Sequence, residues 1–205
     1  MRVQAHPWHG IPPHPDGTNL VNAFIEIVPA DTVKYEIDKE SGHLKIDRIQ
    51  RFSSLCPTLY GFIPRTYCGT EVGTRCRART NSPEKISGDG DPMDICVLTE
   101  RTVAHGGFLC RAKVVGGLRM IDGSEADDKI VAVLEDDLAY GKFDDIAECP
   151  AGLIERLSHY FLSYKQFPVD PARKVRIAEV YGRDEALETI RLSITDYQGK
   201  FTPTG

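Results

Sequence analysis

The chain lacks any apolar run approaching the roughly 18 residues that cross a bilayer. Its opening, MRVQAHPWHG, has no signal-peptide pattern. A membrane protein is excluded on that pattern, and a cytoplasmic protein is expected. A basic excess is also missing: 25 Lys+Arg against 30 Asp+Glu give a net charge of −5, the wrong sign for a general nucleic-acid binder. No C-x-x-C pair occurs among Cys56, Cys68, Cys76, Cys96, Cys110 and Cys149, so the common structural zinc sites find no support. These cysteines read as reduced, partly buried thiols. What is present, 41% hydrophobic and 27% charged residues in a chain of 205, suits one globular domain with a core of its own.

Short strand-like runs dominate the first two thirds: 23–29, 32–38, 43–49, 93–99, 107–118 and 129–135, with a Ser41-Gly42 turn between the second and third. Such a series predicts a small closed barrel or sandwich. The period then changes. Leu153, Ile154, Leu157, Tyr160, Phe161 and Tyr164 recur at helical spacing over 151–167, bounded by Pro150 and by Pro168 and Pro171. A second helix is predicted over 183–196 from Ala186, Leu187, Ile190 and Ile194. The polar segment 64–88 reads as a surface insertion, and residues 1–17, with His6, His9 and His14 among prolines, read as a loosely packed arm. The expected architecture is a single domain over 1–205, mainly β with helices (α+β).

The acidity is regional. Between Met120 and Glu148 lie Asp122, Glu125, Asp127, Asp128, Glu135, Asp136, Asp137, Asp144, Asp145 and Glu148, against only Lys129 and Lys142. The sharpest local signal lies outside that stretch, in Gly88-Asp89-Gly90-Asp91-Pro92-Met93-Asp94. Asp89 and Asp91 share parity on an extended backbone, and close carboxylates raise one another's pKa unless cations screen them. Hard divalent ions with oxygen ligands meet that need, Mg²⁺ better than a soft metal. An EF-hand loop counted from Asp89 fails where Met93 and Asp94 stand in place of a ligand and a glycine. A merely solvated acidic turn is the competing reading, and a stronger competitor for Asp122 to Asp128. In the early strands, Glu26 shares parity with Phe24 and Val28, Lys34 shares a face with Glu36, and Arg48 follows Leu44 and Ile46. Cross-strand ion pairs account for each singly; together they set positive charge where an anion could face the carboxylates.

These residues resemble the family I soluble inorganic pyrophosphatases. The family signature, D-small-D-P-hydrophobic-D-hydrophobic, is met by Asp89-Gly90-Asp91-Pro92-Met93-Asp94-Ile95. Around it, in family order, stand Glu26, the run KYEIDKESG from Lys34 to Gly42, Asp47-Arg48, Tyr60-Gly61, Asp122, Asp127-Asp128-Lys129 and Tyr164-Lys165. The resemblance implies a five-stranded OB-like closed barrel with flanking C-terminal helices, hydrolysing pyrophosphate to two phosphates with several Mg²⁺ ions and a metal-activated water. It implies Asp89, Asp94 and Asp127 as ligands of the first metal, with Asp94 shared by a second. Asp122 and Asp127 would hold a metal arriving with substrate, and Glu26 would support a further one. Asp91 would accept the proton of the attacking water, Tyr60 would stand near the electrophilic phosphate, and Glu36 would order water. Lys34, Arg48, Lys129, Tyr164 and Lys165 would contact phosphate. A homo-oligomer is implied, hexameric in bacteria or dimeric in eukaryotes, with no nucleic-acid or membrane partner.

Three positions depart from the family pattern: Cys56 in place of a common Tyr, Gly123 in place of a common acidic residue, and a longer interval from Tyr60 to Asp89 carrying Arg75, Cys76, Arg77 and Arg79. Two other readings compete. A Mg²⁺-dependent phosphohydrolase on another phosphoanhydride needs a base pocket, and the one Trp, Trp8, lies in the arm. A non-catalytic OB-type binding domain needs a basic, aromatic strand face, where this chain has Glu26 and Glu36.

Overall fold

A computed structural model of the chain describes residues 4–14, 19–50, 54–164 and 175–202. In chain order the strands are β1 (Leu20–Ile27), β2 (Val33–Ile37), β3 (Leu44–Ile49), β4 (Leu59–Phe62), β5 (Ser87–Gly88), β6 (Asp94–Leu98), β7 (Phe108–Asp122), β8 (Glu125–Ala126), β9 (Lys129–Leu134) and β10 (Val175–Gly182). The helices are α1 (Thr70–Thr80), α2 (Ala151–Ser163) and α3 (Arg183–Phe201).

Five strands join in a ring. β1 pairs with β4, β4 with β6, β6 with β9, β9 with β7, and β7 returns to β1. Only the β6–β9 contact in this ring is parallel. Both strands are buried on both faces, which is why ICVL and IVAV read as continuous apolar runs and not as alternation. β7 is long enough to serve several partners: its first half pairs with β1, its middle with β9 and its end with β10 and β8. Where β4 crosses β1, a Cβ on Gly61 would lie 1.9 Å from the Phe24 carbonyl oxygen, so only glycine admits this approach. The hairpin β2–β3 forms a separate two-stranded sheet.

The apolar residues fall into packed clusters on the two faces of the ring. One joins Ala23, Ile25, Ile95, Val97, Ala112 and Ala132 to Ala186 and Ile190 of α3. The other joins Cys96, Leu98, Val131, Val133 and Leu118 to Leu157, Tyr160 and Phe161, the stripe that the helical period of α2 predicts.

Two sequence expectations require correction. The segment 64–88 is not simply a surface insertion. It contains α1, which buries Val72, Gly73 and Cys76 against the core. Its N-terminus is capped across the chain by Asp196 of α3, whose carboxylate accepts from the backbone N–H groups of Gly69 (3.0 Å), Glu71 (3.0 Å) and Val72 (3.1 Å). The described part of the arm, residues 4–14, is not loosely packed either. Trp8 is only 3% exposed, stacks on His9 and meets Phe201 edge-on, and its indole N–H donates to the Thr66 carbonyl at 2.8 Å. Polar composition concealed both because each buries only a narrow set of side chains.

A charged network also lies in the interior. Arg119 of β7 is wholly buried among Asp128 (3.4 Å), Glu179 (2.9 Å) and Glu185 (2.7 Å), with its guanidinium over the Tyr181 ring. Arg75 and Arg79 of α1 pair with the same two glutamates. Arg75 and Arg79 of the longer interval therefore join the inserted helix to β10 and α3.

Candidate active site

A cavity of about 250 Å³ opens at one end of the ring, beside the β2–β3 hairpin. Every site residue named from the sequence lines it except Lys165, which lies outside the described residues.

The acidic wall comes from the ring. Asp89 and Asp91 precede β6, Asp94 is its first residue, Asp122 ends β7, and Asp127 precedes β9. The parallel β6–β9 register sets Asp94 directly beside Lys129. The fully buried Lys129 ammonium consequently lies between the carboxylates of Asp94 and Asp127, donating to both. Burial works against that charge, but Asp127 and Asp94 outweigh it and push the Lys129 pKa well up. The Tyr60 hydroxyl donates to Asp94 Oδ2 at 2.6 Å. Burial, then the Asp94 charge, hold that phenol well above its ordinary pKa. Asp91 accepts from Lys39. Burial pushes the Asp89 carboxyl up to about 8, with the Asp127 charge adding and Lys129 opposing.

The basic wall comes mostly from the hairpin. Lys34 and Arg48 are register partners across β2 and β3. The Lys34 ammonium bridges Glu36 and Asp47, each at 3.1 Å. Burial lowers its pKa, but these carboxylates more than compensate and the net shift is upward. The Arg48 guanidinium lies 5.6 Å over the Tyr164 ring, which in turn stacks on Tyr160. Glu26 of β1 is 6% exposed and accepts from the Ile37 backbone N–H at 2.7 Å, fastening hairpin to ring. Its burial pushes the carboxyl up to about 8, although the Ile37 hydrogen bond opposes the shift.

Two charged lining residues, Lys39 and Glu125, were not assigned to the site from the sequence. Lys39 stands in the turn after β2, where strand parity no longer says which way a side chain faces. Glu125 belonged to an acidic loop that reads as solvated. Of the departures, Cys56 is buried beside Thr58, and burial pushes its thiol up to about 11. Gly123 has φ +65°, the left-handed region, in the tight turn from β7 to β8. A side chain there would be strained, which gives glycine a local reason to occupy the position.

Among the described residues no three His, Cys, Asp or Glu side chains converge to hold a metal ion as they stand. The donor chemistry nonetheless fits a hard cation: the acidic wall offers carboxylate oxygens only, and ammonium groups lie against Asp91, Asp94 and Asp127. Such a site can bind divalent cations and a compact polyanion together. No helix among the described residues is long and apolar enough to cross a membrane.

Comparison with known proteins agrees. Residues 23–198 match the family model described as "Inorganic pyrophosphatase". The "Inorganic pyrophosphatase" of Chlamydia trachomatis serovar L2 is 50% identical over 202 residues, covering 96% of each chain. That of Chlamydia muridarum is 48% identical over 201 residues, covering 96% of this chain and 95% of the other. Among solved structures, the inorganic pyrophosphatase from Thermus thermophilus superposes with a TM-score of 0.79 at 28% identity, over 95% of this chain and 100% of that one.

Proposed function

Because this chain belongs to the inorganic pyrophosphatase family, we propose that it hydrolyses inorganic pyrophosphate to two orthophosphates, with several Mg²⁺ ions held by its acidic wall. The observation that carries this reading is one small cavity with carboxylates from the ring on one side and Lys34 and Arg48 from the hairpin on the other. At about 250 Å³ the cavity is small for a nucleotide. Its two tyrosines are also engaged, Tyr60 with Asp94 and Tyr164 with Tyr160 and Arg48. Pyrophosphate is compact and highly charged, and its hydrolysis is governed by positioning and charge neutralisation.

Asp89, Asp94, Asp127 and Asp122 would hold the cations, with Glu26 supporting a further one. Bound there, Mg²⁺ neutralises phosphate charge and lowers the pKa of water. Asp91 takes the proton as the water oxygen bonds to one phosphorus and that phosphorus parts from the bridging oxygen. Lys34, Arg48, Lys129, Tyr164 and Lys165 hold the phosphates and neutralise the charge left on the departing one. Tyr60 keeps Asp94 oriented and faces the electrophilic phosphate, while Glu36 orients Lys34 and orders water.

A cytoplasmic setting and a homo-oligomer belong to the same proposal. All six cysteines are free thiols, as suits a reducing compartment. The apolar groove lined by Ile146, Ile154, Leu162 and Val180 offers a face for assembly. The experiment is phosphate release from pyrophosphate with and without Mg²⁺, beside ATP. The expected result is release that requires Mg²⁺ and favours pyrophosphate; no Mg²⁺-dependent release at micromolar enzyme overturns the proposal.

A further inference from the structure

We propose that Lys39 is an additional substrate-binding residue and that the N-terminal arm, through Trp8, is the element that holds it in place. The inference rests on the pyrophosphatase reading of the cavity. Lys39 lines that cavity from the turn of the hairpin that carries Lys34 and Arg48, and its ammonium lies against Asp91. Its side chain is 44% exposed, so the ion pair with Asp91 is open to exchange for an incoming phosphate oxygen at low cost.

The arm meets the turn bearing Lys39 at two points. The Lys39 ammonium lies 6.0 Å from the centre of the Trp8 ring, a cation–π distance. Three residues after Lys39, a Cβ on Gly42 would lie 2.9 Å from Pro7 Cδ and 3.0 Å from His6 Cδ2. The arm and the turn are therefore in direct contact. Trp8 is itself fixed, with its carbonyl accepting from Arg65 N–H at 2.8 Å and its indole donating to the Thr66 carbonyl. The Thr66 hydroxyl in turn accepts from Met93 N–H at 2.9 Å, next to Asp94. One side of Trp8 is thus tied to the start of the metal-binding strand and the other carries Lys39. Its position sets the ammonium relative to the carboxylates.

Steady-state kinetics of the full chain with pyrophosphate and Mg²⁺ test this. Lys39→Met is expected to raise KM about 10-fold, the loss of one charge-assisted phosphate contact, with a much smaller change in kcat; Lys39→Arg recovers most of it. Trp8→Phe keeps a ring in the aromatic cluster and is expected to raise KM about 2- to 3-fold. In the Lys39→Met background the same change is expected to do nothing. Far-UV circular dichroism and Tm establish that each variant is folded. An unchanged KM in Lys39→Met, or a loss confined to kcat, overturns the role of Lys39. A Trp8→Phe effect that persists without Lys39 overturns the role of Trp8. If the wild-type chain releases no phosphate from pyrophosphate, the enzymatic reading fails separately. Orthophosphate binding to the wild type and Lys39→Met by calorimetry then decides the site, with equal affinities refuting it.

Discussion

Replacing Arg119 by Met is the sharpest test of how this fold tolerates charge in its interior. The guanidinium is wholly buried, and its removal does not fall equally on its partners. Glu185 keeps Arg75 and Arg79, and Glu179 keeps Arg79. Asp128 keeps only the Tyr181 hydroxyl at 3.0 Å, because its second oxygen already has no hydrogen-bond partner. Burial pushes the Asp128 carboxyl up to about 6 even with Arg119 opposing the shift, so without Arg119 the buried group must stay charged and unpaired or take up a proton, and either costs stability. Breaking a buried pair in this one-sided way costs about 3–5 kcal/mol, a large part of the roughly 5–15 kcal/mol by which domains are stable. With a urea slope near 2 kcal/mol/M, the unfolding midpoint should fall by about 2 M, read by circular dichroism. Adding Asp128→Asn removes the stranded charge and should restore about half of the loss. A single variant within about 1 kcal/mol of the parent, or a double variant no more stable than the single one, refutes the reasoning.

Other outcomes follow from the same structure. Asp91→Asn should bind Mg²⁺ nearly normally while kcat falls about 10²- to 10⁴-fold, the usual worth of a general base; retained turnover removes Asp91 from that role. Asp94→Asn should instead raise the Mg²⁺ concentration needed for half-maximal rate, and a chelator should abolish activity reversibly. Asp196→Ala uncaps α1 from a distance and should cost about 1–2 kcal/mol in urea unfolding. Gly61→Ala drives a methyl into the Phe24 carbonyl and should cost about 3 kcal/mol or prevent folding.

Strands were legible in the sequence where the apolar residues ran together or alternated, as in β6, β9 and β2. β4 was not, since four residues containing a glycine have no periodicity to read; its partners β1 and β6 define it. β10 runs directly into α3 with no turn residue between them, and its charged positions mask the alternation. α1 stayed hidden because its buried stripe is Val72, Gly73 and Cys76, and because its cap, Asp196, is distant in sequence. In the site, the short spacing of Asp89, Asp91 and Asp94 concentrated the signal. The pairing of Lys129 with Asp94 could not be read, because it depends on the register of two strands that are far apart along the chain.

The two walls of the cavity belong to different sheets. The carboxylates stand on the ring's strands or in the loops at their ends, whereas Lys34 and Arg48 ride on a hairpin that, among the described residues, shares no backbone ladder with the ring. The Glu26 to Ile37 hydrogen bond, the Lys39–Asp91 ion pair and side-chain packing join the two. On the proposed function, the carboxylates assigned to cations belong to the ring, while two of the phosphate contacts, Lys34 and Arg48, belong to the hairpin. On the same proposal, a shift of the hairpin to admit pyrophosphate or release two phosphates need break no rung of the ring, so local opening there is separable from global unfolding.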